Sequence, residues 1–88
     1  MKRRIDIIKD NKIYIDNIKV TSDVNLIDIF QALNATLYLD KMSPLERECN
    51  ALIKKELNER GYAIVPGTCV PQIKKRDELT EWELNNEW

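Results

Sequence analysis

The clearest apolar pattern in the chain lies between Ser43 and Gly61, where Leu45, Cys49, Leu52, Ile53 and Leu57 recur at helical spacing. Both ends of that helix are marked. Ser43 caps the first turn, Pro44 occupies a position that needs no amide hydrogen, and Glu46 stands three residues after the cap, completing a capping box. Gly61 after Arg60 supplies a left-handed terminator, so the pattern predicts a helix over 44–60. Glu56 and Arg60 fall within the buried arc, one turn apart, as a pair. The opposite arc carries Arg47, Asn50, Ala51, Lys54 and Asn58, while Glu48 and Glu59 fall on one flank and Glu46 at the cap.

Upstream, Leu26, Ile29, Phe30 and Leu33 repeat at the same helical period, with Ser22, Asp23 or Asn25 as the cap, which predicts a helix over about 24–34. Either Asn34 ends it and residues 36–42 form a bent connector, or it runs on to about 40 through Leu37. Before it, β-branched residues and two Asp-Asn pairs, Asp10-Asn11 and Asp16-Asn17, predict short strands near 4–8, 12–15 and 18–21. The alternative is one hairpin with a bulge at Asp16-Asn17.

After Gly61 two strand-like runs, 62–65 and 68–73, flank Pro66-Gly67 and predict a β-hairpin, with Pro71 confined to an edge or a strand end. Lys74, Lys75 and Arg76 stand at its base. Residues 77–88 carry Leu79, Trp82 and Leu84 on a weak helical stripe and end on Trp88; they form either a short final helix or an acidic tail with aromatic anchors. The fold class is therefore α+β: a β-meander or hairpin, two helices in a helix-turn-helix, a hairpin wing over residues up to 76, and the acidic segment 77–88.

Eighty-eight residues bound this to a single core. The net charge of −1 conceals a gradient: residues 1–76 sum to +4, and residues 77–88 contribute five carboxylates. Lys2, Arg3 and Arg4 open the basic part. No apolar run is long enough for a membrane span and no leader pattern opens the chain, so a cytoplasmic protein without a membrane partner is expected.

Catalytic chemistry has little to work with. The chain has no histidine, only two glycines and no CxxC, which excludes the usual zinc, haem and phosphate-loop patterns and leaves no metal or cofactor to expect. Cys49 reads as core, and Asp6, Asp10 and Asp16 read as turn residues. Binding is the remaining class. Arg47, Asn50, Lys54 and Asn58 are side chains able to donate to phosphates and base edges, with Lys2, Arg3, Arg4, Lys74, Lys75 and Arg76 as flanking cations. An ordinary solvated helix face produces the same sorting. A protein partner met through Trp82 and Trp88 is the competing reading, and the oligomeric state, a homodimer through the apolar sheet face included, stays open.

Asp28, Ile29, Ala32 and Leu33, then Cys49 or Ile53, Leu57, Gly61 and Tyr62, form a pattern over about 28–66. It resembles the winged helix-turn-helix at the C-terminal end of phage and plasmid primase or helicase proteins of the virulence-associated E type. That resemblance implies a mobile-element or phage accessory domain that touches nucleic acid, with Arg47, Asn50, Lys54 and Asn58 as the reading face. The second helix here holds as many acids as bases, the wing is short with two prolines, and an N-terminal sheet and acidic segment are added.

Overall fold

The computed structural model describes residues 7–35, 43–67 and 70–88. Strands β1 (Ile8–Lys9) and β2 (Lys12–Ile13) form an antiparallel hairpin, pairing Ile8 with Ile13 and Lys9 with Lys12. Asp10 and Asn11 make its two-residue turn with φ of 53° and 61°, the left-handed geometry that matches strand twist and that Asp and Asn tolerate. Three helices follow: α1 (Ile15–Val20), α2 (Asp23–Leu33) and α3 (Pro44–Glu59). Strands β3 (Tyr62–Val65) and β4 (Gln72–Lys75) make a second hairpin; a 3-10 turn (Arg76–Glu78) and helix α4 (Glu81–Asn85) close the chain. The α+β class is as expected, with a hairpin in place of a meander.

The third N-terminal strand is a correction. Residues 18–21, read as a strand, are the end of α1 and its cap. Ile15 and Ile18 lie three apart, a helical interval as well as a break in alternation; Ile18 enters the core while Ile15 stays exposed. Asp16 then stands in the first turn of a helix, where a carboxylate favours the macrodipole, rather than in a β-turn. The backbone amide and hydroxyl of Thr21 both return to the Asn17 carbonyl and close the helix.

Helix α2 begins where Ser22 accepts from the Asn25 amide, and α3 begins with the Ser43–Glu46 capping box complete in both directions. Gly61, at φ 89°, takes the left-handed position that ends α3, which a side chain would resist. Between them the apolar stripes meet: Leu26 and Phe30 of α2 pack with Cys49, Ile53 and Leu57 of α3. Ile7, Ile18 and Ile64 complete the core from the first hairpin, α1 and β3. Each fully buried aliphatic side chain contributes roughly 1.5–3 kcal/mol.

The second strand of the second hairpin starts later than predicted. Val65 pairs with Gln72, and the second strand is Gln72–Lys75, so Val70 and Pro71, read as strand, precede it. Pro71 is buried immediately before β4, where it owes no ladder hydrogen bond, and its carbonyl accepts from Gln31 of α2 at 3.2 Å. Lys74 and Lys75 consequently lie inside β4 on opposite faces of the hairpin, and only Arg76 follows the strand. The segments read at 1–6, 36–42 and 68–69, including Lys2, Arg3, Arg4, the α2–α3 connector and Cys69, lie outside the described residues.

Candidate nucleic-acid interface

Helix α3 is held to the core by Cys49, Ile53 and Leu57, which turns the opposite side outward. Its exposed residues are Pro44, Arg47, Glu48, Ala51, Lys55 and Glu59. This is a rotation from the arc drawn from sequence: Asn50, Lys54 and Asn58 are only half-exposed, and the two flanking carboxylates come to the outside. The cause is packing on one flank. Asn34, the residue that ends α2, donates to the Asn50 side-chain oxygen and accepts from its amide nitrogen at 3.2 Å, so the two side-chain amides satisfy one another. Asn34 also returns a hydrogen bond of 2.8 Å to the Phe30 carbonyl. Asn58 is turned inward as well, with its Oδ1 buried and meeting no donor among the described residues.

The hairpin cations are divided between its two faces, and each is engaged. Lys74 Nζ lies 2.7 Å from Glu83 Oε2, and Arg76 makes a two-pronged bridge to Glu87, at 2.6 and 2.9 Å. Lys75, on the other face, stands 5.8 Å above the centre of the Tyr62 ring. Arg76 beside Glu87, and Lys74 beside Glu83, hold both glutamates below the usual carboxylate range. The acidic segment is thus folded against the hairpin: α4 has its own capping box from Thr80 and Glu83, and the Trp88 amide donates to the Ile64 carbonyl at 2.8 Å. Ile64 can accept it because the ladder alternates; Gly61 accepts from Arg76, so three residues on the carbonyl points away from β4.

Trp82 is 61% exposed, whereas Trp88, at 43%, tilts against Phe30 with ring centres 6.4 Å apart. Of the two aromatic anchors, one therefore stands in solvent and the other is half committed to the core. Tyr14, Ile15 and Val20 at α1, Val24 in the first turn of α2 and Leu84 in α4 are further exposed apolar side chains.

The most elaborate polar cluster is one the sequence indicated only through Glu56 and Arg60. Arg60 Nε donates to Glu56 at 2.8 Å; Nη1 reaches the Thr21 carbonyl and the Asp23 carboxylate, each at 2.8 Å; Nη2 reaches the carbonyls of Ile18 and Lys19, at 3.3 and 2.9 Å. All five guanidinium donors are used, four on the end of α1 and the start of α2 and the fifth on Glu56 of α3 itself. Tyr62 donates to the second Asp23 oxygen at 2.9 Å. Hydrogen bonds from Arg60, then from Tyr62, hold the Asp23 carboxyl below its ordinary range. The cluster welds α1 to the end of α3 and the start of β3, and gives the Gly61-Tyr62 pair a structural role.

The one described cysteine is not poised for chemistry: burial, followed by the charges of Glu46 and Glu48, pushes the Cys49 thiol up to about 11. Among the described residues no group of three or more His, Cys, Asp or Glu side chains could hold a metal ion, and no helix is long and apolar enough to cross a membrane. No protein-family model, no curated protein and no solved structure matches this chain.

Proposed function

We propose that this is a small, non-catalytic nucleic-acid-binding module that uses the open side of α3 and the cations of the second hairpin. One observation carries the reading: α3 is fixed on α2 by a single apolar stripe, leaving Arg47 and Lys55 exposed, and leads directly into a hairpin bearing Lys74, Lys75 and Arg76. Helix, helix, hairpin is the element order of a winged helix, in which the second helix approaches a groove and the wing approaches the backbone. The resemblance to the C-terminal domain of virulence-associated E type primases and helicases, and the phage or mobile-element setting it implies, agrees with this. The buried, protonated Cys49 supports binding without chemistry.

The side-chain positions narrow the mode of binding. With Asn50 paired to Asn34 and Asn58 turned inward, the amides best suited to adenine edges are withdrawn, and Glu48 and Glu59 oppose close approach to phosphates. What remains is phosphate contact from Arg47, Lys54, Lys55 and Lys75, which positions a duplex without reading its sequence. Binding then falls steeply with salt, with a slope of log K against log salt near −3 for roughly three to four phosphates. Fluorescence anisotropy with labelled duplexes of unrelated sequence tests this: similar affinities and that slope are expected, and no binding at low salt would sink the reading.

A second reading has Trp82 behind it. A tryptophan this exposed on a capped helix is the kind of side chain that anchors a protein interface. Co-purification from the native host after nuclease treatment separates the two: a partner retained by the parent chain but lost with Trp82→Ala would favour protein recognition.

A further inference from the structure

We propose that residues 79–88 are a built-in competitor, a carboxylate strap that occupies hairpin cations which would otherwise meet the phosphates of a nucleic acid. The inference rests on the nucleic-acid reading and adds its regulation. Two features make the strap a phosphate mimic rather than a scatter of surface pairs. Arg76 grips both oxygens of Glu87 with two separate nitrogens, the fork geometry it would use on a phosphate. Lys74 meets Glu83 on the same segment, and the Lys54 charge also acts on Glu87, so the strap draws on α3 as well as on the hairpin.

The strap is built to dock and to leave. It is docked by local devices: the Thr80–Glu83 capping box, the Trp88 amide on the outer edge of β3, and the Trp88 ring against Phe30. None of these is deep. The helix is five residues long, both tryptophans remain substantially exposed, and although Glu83 is itself buried, Lys74 and Arg76 are 40% and 46% exposed, so salt and a competing polyanion reach the cation of each bridge. A duplex offering a regular row of phosphates presents the same cations with several anions at once. Displacing the strap frees Lys74 and Arg76 and adds about two phosphate contacts.

Glu83→Gln with Glu87→Gln removes both bridges while a glutamine at 83 can still cap α4. Two negative charges lost anywhere would strengthen binding to DNA, so the comparison is with Asp77→Asn/Glu81→Gln. That pair lies in the same acidic stretch, is exposed, and takes part in no ion pair among the described residues. In anisotropy titrations of a labelled duplex, the bridge-breaking variant is expected to bind on the order of tenfold more tightly than the charge-matched control, with a salt slope steeper by about two. Glu87→Gln alone, which leaves the α4 cap untouched, should give about half the slope change. Equal gains in both double variants would overturn the strap and leave the nucleic-acid reading standing. Failure of every chain to bind at low salt would remove that reading and the strap with it.

Discussion

Arg60 and Arg76 each hold a carboxylate at short range, 2.8 Å to Glu56 and 2.6 Å to Glu87, yet they belong to different kinds of structure. The Arg60 side chain is 19% exposed and spends all five donors on partners contributed by α3, α1 and the start of α2. Arg76 is 46% exposed, and among the described residues its side chain bonds to Glu87 alone. Separation alone would rank the second pair as the stronger. What distinguishes them is the alternative each group has when the bond breaks: Arg76 and Glu87 return to water, whereas the carbonyls at the end of α1 are left without their donor. The first arrangement builds the domain and the second can be exchanged.

Arg60→Ala tests the built side of that contrast and should have the largest effect. It strips the Ile18, Lys19 and Thr21 carbonyls and the half-buried Glu56 of their shared partner, at a cost of roughly 2–4 kcal/mol in chemical denaturation. Arg60→Lys should recover little, since an ammonium has three donors and cannot span the same fork. A loss under about 1 kcal/mol would put Arg60 in the same class as Arg76 and erase the distinction.

The same contrast explains which parts of the molecule were legible in the sequence. Helix α3 carries its instructions locally: a cap, a proline, an apolar stripe and a terminating glycine, all within nineteen residues. The Asp10-Asn11 turn is likewise local, and both residues adopt the conformation their side chains permit. Helix α1 is different. Six residues are too few for an independent helix, and its β-branched content argues for a strand; what stabilises it is Ile18 in the core and Arg60, thirty-nine residues after Thr21, on its terminal carbonyls. The rotation of the α3 face was hidden for the same reason. Periodicity assigns an outer arc from one helix alone, but Asn34 at the end of α2 claims Asn50. Opposite charges in segments 62–76 and 77–88 were visible in sequence as a gradient; that they close on one another as specific bridges was not.

Asp23 occupies the middle ground, half-exposed but joined to both Arg60 and Tyr62. Because these hydrogen bonds lower its pKa in the folded chain, its contribution to stability is complete above the ordinary aspartate pKa of about 3.9 and disappears as pH falls through the depressed value. Asp23→Asn should therefore be less stable than the parent chain near neutrality, by less than Arg60→Ala, and the two curves should converge on acidification. Urea midpoints measured from pH 6 down to pH 2 check the sign; a gap that widens toward acid would show that Asp23 does not act through its charge.

Arg76→Ala should disturb stability least and the strap most. The chain has two tryptophans, Trp82 and Trp88, and both lie in the strap, so intrinsic emission reports on that segment alone. Loss of the two-pronged bridge should shift the emission to longer wavelength as Trp88 leaves Phe30, while the thermal midpoint followed by far-ultraviolet dichroism stays close to that of the parent chain. High salt added to the parent should reproduce the shift, because the Arg76–Glu87 bridge is the more exposed and is screened more than the Arg60–Glu56 pair, whose side chains are 19% and 15% exposed. An emission change that occurred only together with global unfolding would mean that the strap and the core are one cooperative unit, and that the Glu87 bridge is as structural as the Glu56 one.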